Sequence, residues 1–133
     1  MNADDDCLAP LPPAALAGIR LFNAGEYFEA HEELEAAWRA EPRPIRNLYQ
    51  GVLQVAVAYL HITRDNYEGA VKVYGRALKW LDKVPDICQG VDVVQLKQDA
   101  EEVFAEVHRL GPERLAAFDR SLFKPIRFYH ARV

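Results

Sequence analysis

The amino-acid sequence predicts an all-α fold, a compact bundle of five to six antiparallel helices. Apolar residues recur at steps of three and four through most of the chain, the period of one helical face. Proline and glycine clusters interrupt those stretches at the spacing of short interhelical links. The alternating pattern of a half-buried strand competes nowhere. A chain of 133 residues fits one domain, 1–133, around one core.

Residues 1–9 open on the polar, acidic "MNADDD" and are expected to fray. The first helix follows in "APLPPAALAGIRLFNAG", with Pro12 or Pro13 at its start and Gly25 as its stop. Leu16, Ile19 and Phe22 mark its inner side. The second covers roughly 26–40, where Tyr27, Ala30, Leu34, Ala37 and Trp38 share a face. "EPRP" ends it, because Pro42 and Pro44 restrict the residues before them.

The third helix, about 45–63, is apolar around most of its circumference and is expected to be central and buried. The fourth, about 67–83, carries Tyr67, Val71, Tyr74, Leu78 and Leu81. "KVPDICQGVD" reads as a loop. The extra C-terminal helices occupy about 92–120, with Leu96, Ala100, Val103, Val107 and Leu110 in one stripe. Gly111–Pro112 breaks that helix and opens a short sixth.

"GEYFEAHEELEAAWRAEP" and "DNYEGAVKVYGRALKWLDKVP" align Tyr27 with Tyr67 and Ala30 with Ala70. This weak repeat resembles one helix of a tetratricopeptide unit without its full pattern. Two units are too few for a solenoid, so the expected arrangement is a closed bundle of tetratricopeptide-like stacked hairpins.

Charge and composition exclude several classes. The net charge is −4, from 20 acids against 16 Lys plus Arg, which argues against a general nucleic-acid binder. No charge-free apolar run approaches the ~18 to 20 residues of a membrane span, and no basic-then-apolar leader opens the chain. The expected location is cytoplasmic. The tail 121–133, with Arg120 before it, is basic and aromatic and lacks any acid, and is expected to dock on its own domain. Cys7 and Cys88 lie far apart outside any metal-binding spacing, so both read as reduced thiols. No metal or cofactor is expected.

One feature points to a site. On a helical wheel with Tyr27 at zero, His31 falls at about 40° and Glu35 at about 80°, inside the apolar arc of the second helix. Glu29 and Glu33 face water, and Glu32 lies at the border. The third helix carries one narrow polar line of Arg46, Gln50, Gln54 and His61. The short "EPRP" link makes the two helices antiparallel neighbours. Folding about residue 42 then sets Trp38 near Arg46, Glu35 near Gln50 and His31 near Gln54. Polar groups sent inward need partners, and a Glu35–Arg46 ion pair is the expected solution.

The chemistry of this strip is open. His31-Glu32-x-x-Glu35 lacks the second histidine of zinc peptidases, and paired Glu-x-x-His motifs are missing. A set of His31, Glu35 and His61 would need His61 to reach across about two turns. Nucleophilic catalysis has no candidate, since Ser121 is the lone serine. His31 with Glu35 offers acid–base chemistry but identifies no substrate. Trp38 and Trp80 read as packing residues, Lys72, Arg76 and Lys79 as a solvated face, and His108 and His130 lack partners.

"FNAGEYFEAHEELEAAW", "RNLYQGVLQVAVAYLH" and "DNYEGAVKVYGRAL" resemble the signature of domain-of-unknown-function family 309, over roughly residues 17–82. The resemblance implies an all-α, tetratricopeptide-like bundle and small bacterial or archaeal relatives. It implies signature polar residues at His31, Glu32, Glu35, Arg46, Gln50, Gln54 and His61, and no activity. Three readings follow: a non-enzymatic module binding a small polar or anionic ligand or a protein, a small acid–base or metal-dependent enzyme, or a polar network that fixes helix register. A homodimer is a further expectation.

Overall fold

The computed structural model describes residues 6–129. Among the described residues, five helices pack into a bundle: α1 Pro13–Asn23, α2 Tyr27–Ala40, α3 Arg46–Thr63, α4 Tyr67–Leu81 and α5 Val93–Arg114. Short 3-10 turns follow at Leu115–Ala117 and Arg120–Leu122. The expected all-α class is found.

Helix α3 is the axis, packing on α2 along one side and α4 along the other. Tyr49, Val52, Val55, Ala56 and Tyr59 are fully buried on it, as its apolar circumference requires. α2 turns Tyr27, Ala30, Leu34 and Ala37 inward, the expected face. In α4 the buried positions are Ala70, Val73, Ala77 and Leu81, while Tyr67, Val71, Tyr74 and Leu78 are half-buried. Its inner face is therefore rotated from the expected one, because small residues let it approach α3 closely. A Cβ on Gly51 of α3 would collide with Leu81. All five stripe residues of α5 are buried, and Phe104 stacks on Tyr74 with centroids 4.0 Å apart.

The two hairpins turn by the same device. After α1, Glu26 N–H donates to the Leu21 carbonyl and Gly25 N–H to that of Phe22, each at 2.9 Å, with Gly25 at φ 79°. After α3, Asn66 N–H donates to His61 at 2.9 Å and Asp65 N–H to Ile62 at 3.1 Å, with Asp65 at φ 55°. Both are Schellman caps. The repeat thus extends from Tyr27 over Tyr67 into backbone geometry.

Two expectations need correction. The loop after α4 holds a small antiparallel hairpin, β1 Ile87–Cys88 and β2 Val91–Asp92. Two-residue strands leave no alternation to read, and Gln89 and Gly90 both take positive φ, as a type I′ turn requires. Cys7 and Cys88 are not reduced thiols but form a disulfide across 81 residues of sequence. The N-terminal segment runs beside the hairpin, where Gln89 N–H donates to the Cys7 carbonyl at 2.7 Å. Of the segment expected to fray, residues 1–5 lie outside the described residues, and Asp6 and Cys7 are buried.

Gln89 is buried as well, and its Oε1 accepts from the Tyr49 hydroxyl at 2.7 Å. The tail docks back through Val91–Phe128 pairing, with Asp92 N–H donating to the Arg127 carbonyl at 2.9 Å. At Gly111 (φ 70°) the chain leaves the α5 helix, re-forms one turn through Pro112 and enters the 3-10 turn at Leu115. No described helix is long and apolar enough to cross a membrane.

Candidate functional site

Helix α2, which carries His31 and Glu35, packs beside α3, which carries the line of Arg46, Gln50, Gln54 and His61, and all six side chains are half-buried. This band is open to solvent rather than sealed: His31 is 30% and Glu35 35% exposed. Glu32 and Glu29 are exposed on α2, and Glu33 is half-buried rather than in water. Phe28 is 43% exposed.

The link folds as its length demands, and Arg46 meets Trp38. Its guanidinium lies 4.2 Å from the indole centroid, and Nη2 donates to the Trp38 carbonyl at 3.5 Å. Cation–π contact of this kind stabilises a partly desolvated cation without a carboxylate. Arg46 Nε is buried with no hydrogen-bond partner among the described residues.

The expected Glu35–Arg46 pair does not form. Glu35 Oε1 accepts from Arg39 Nη2 at 2.6 Å, and its Oε2 lies 3.5 Å from His31 Nε2. Both partners sit one turn away on the same helix. The antiparallel register explains the choice, since it places Arg46 level with Trp38, one turn nearer the link than Glu35. Gln50 and Gln54 form no side-chain hydrogen bond among the described residues.

At the far end of the band, His61 Nδ1 lies 3.2 Å from Asn66 Nδ2. Burial, and then the nearby Arg64 cation, hold its pKa below the usual histidine value, so the ring is neutral and free to accept. Arg64 lies over the Phe28 ring at 6.0 Å, and Phe28 contacts His31 at 5.8 Å between centroids. His31 and His61 are thus neighbours of neighbours rather than partners. The described residues contain no group of three or more His, Cys, Asp or Glu able to hold a metal.

Other expected features resolve simply. Lys72, Arg76 and Lys79 are exposed. Trp80 supports Lys83 at 4.5 Å. His108 finds a partner the sequence did not reveal, the Tyr67 hydroxyl at 3.3 Å. His130 lies outside the described residues.

The sequence reading missed a cleft where the tail meets the α1–α2 turn. Phe22, Asn23, Tyr27, Thr63, Arg120, Phe123 and Lys124 help to line about 320 Å³ there. The acid-free aromatic tail was the available signal.

Comparison with known proteins agrees with the motif resemblance. The family described as "Domain of unknown function (DUF309)" matches residues 15–73. An uncharacterised protein of Aquifex aeolicus is 28% identical over 95 residues, covering 71% of this chain and 28% of that protein. The uncharacterised protein YpuF of Bacillus subtilis is 31% identical over 107 residues, covering 77% of this chain and 57% of its own length. This chain therefore spans only part of either relative. All seven strip residues fall inside the matched segment, which runs from α1 into the middle of α4. The model of that family, which the sequence motifs resemble, thus matches residues 15–73 of this chain.

Proposed function

We infer that the chain is a non-enzymatic helical binding or interaction module whose α2–α3 band receives a small polar or anionic group, borne by a free ligand or by a protein. One observation carries this. Arg46, Gln50, Gln54 and His61 are half-buried along one line of α3, and the two glutamine amides have no side-chain partner among the described residues. Half-buried donors without a protein partner recognise a ligand by completing their hydrogen bonds on it. Glu35 is neutralised by Arg39, so it does not repel an anion.

The Glu35 carboxylate is already engaged by Arg39 at 2.6 Å rather than left free to meet a substrate. The His31–Glu35 contact at 3.5 Å supports an acid–base enzyme as the second reading. Stacked hairpins with matching caps support the tetratricopeptide-like description, and a homodimer belongs to this reading. A cytoplasmic setting also belongs to this reading, and the Cys7–Cys88 disulfide counts against it, since such bonds are rare there. Thiol titration of protein taken directly from its host decides that point.

The test is a titration with inorganic phosphate and acetate, followed by side-chain amide NMR. Gln50 and Gln54 resonances are expected to move, and Arg46→Gln to weaken the response. Unmoved glutamine resonances across the series would remove the binding reading.

A further inference from the structure

Where α1 turns into α2, the C-terminal tail closes a cleft of about 320 Å³ against the loop. A double hydrogen bond builds it. Asn23 Nδ2 donates to the Ile126 carbonyl at 3.0 Å, and Ile126 N–H donates to Asn23 Oδ1 at 2.7 Å. This clamp fixes Phe123, Lys124 and Pro125 on the opposite wall. Phe123 also stacks on buried Tyr59 at 4.6 Å and meets Tyr27 edge-on at 5.4 Å. Phe22 and Tyr27, edge-to-face at 5.2 Å, complete the aromatic lining.

Two cations line the same cleft, and both are exposed. Arg120 donates to the Thr63 carbonyl and Lys124 to the Ser121 carbonyl, each at 3.3 Å. Neither forms an ion pair among the described residues. The nearby acids form no ion pair with them, although the Lys124 charge adds to the Ser121 hydrogen bonds in holding the Asp119 carboxyl below its ordinary value. Asp65 lines an adjoining groove that shares Thr63 and Arg120, and Asp119 accepts from the Ser121 N–H at 2.9 Å. Burial pushes the Tyr27 phenol up to about 12, so it is a neutral donor rather than a competing anion.

We propose that this cleft binds a small aromatic carboxylate, with its ring against Phe123 and the edge of Tyr27 and its carboxylate at Arg120 and Lys124. Aromatic walls prefer a ring that packs offset or edge-on. The planar guanidinium fork matches a carboxylate, and the ammonium adds a point charge. The volume lies at the small end of the ~300 to 1,000 Å³ range of ligand pockets, which limits the occupant to about one ring system. None of the seven strip residues lines this cleft, so the proposal is independent of the α2–α3 band.

Benzoate is the probe, titrated into the full chain and followed by two-dimensional amide NMR. Benzamide, hexanoate and inorganic phosphate serve as comparisons. Benzoate is expected to shift resonances of residues 22–27 and 120–125. Changing both Arg120→Gln and Lys124→Gln should weaken it about tenfold or more, and benzamide should bind weaker by a similar factor. These two positions are exposed, so the fold survives their replacement. Silence at both segments, or undiminished binding by the double variant, overturns the proposal. So does benzamide, hexanoate or phosphate binding as tightly as benzoate.

Discussion

Arg39 lies four residues beyond Glu35 and takes its carboxylate at 2.6 Å, while Arg46 rests on Trp38. Since Arg39 is 72% exposed, the pair is a surface one, and Glu35→Gln should cost less than ~1 kcal/mol in urea unfolding. A loss of 3 kcal/mol or more would mean a buried ion pair after all. Burial raises two phenols, Tyr27 and Tyr49, to about 12 from the ordinary 10.0. Folding holds both protons, so this stability is complete below the unfolded value and is lost as pH rises from 10 toward 12. Alkaline unfolding followed by tyrosinate absorbance checks the sign, and Tyr27→Phe should move the loss to higher pH.

At the scale of elements, the caps of α1 and α3 differ at one position, Gly25 against Asp65. A left-handed conformation costs a non-glycine residue roughly 1 kcal/mol or more. Asp65→Gly should therefore stabilise the fold by a net few tenths to ~1 kcal/mol after the added chain entropy, read as a higher thermal midpoint. At the α3–α4 crossing, Gly51→Ala should destabilise by ~1 to 3 kcal/mol through overpacking on Leu81, read by chemical denaturation. The helices were legible because period, proline and glycine signals agree over long stretches, and the Trp38–Arg46 meeting followed from link length alone. The β1–β2 hairpin was not, since two residues per strand carry no period. The Glu35–Arg46 pair failed because a wheel gives direction around a helix, whereas partner choice depends on level along it. The Cys7–Cys88 contact depends on where an N-terminal segment lies, which no local pattern encodes.

Across the whole molecule, the disulfide joins the start of the described chain to the hairpin before α5, and Asn23 pins the tail to α1. Closing so long a loop restricts the unfolded chain by roughly 4 to 5 kcal/mol in the entropic account. Unfolding with and without reductant should differ by a large part of that amount, and Cys7→Ser should abolish the difference. Equal stability under both conditions would show that packing alone holds the N-terminal segment. Asn23→Ala should raise amide exchange at Ile126 while leaving α3 protected, because only the tail depends on that clamp.

The Cys7–Cys88 bond also makes a covalent ring of four helices. Tension applied between the two ends of the polypeptide would pass through the sulfur atoms and bypass α1 to α4. A pulled molecule would lengthen only by what lies outside that circle, and residues 15–73 would ride along unstretched until the bridge was reduced.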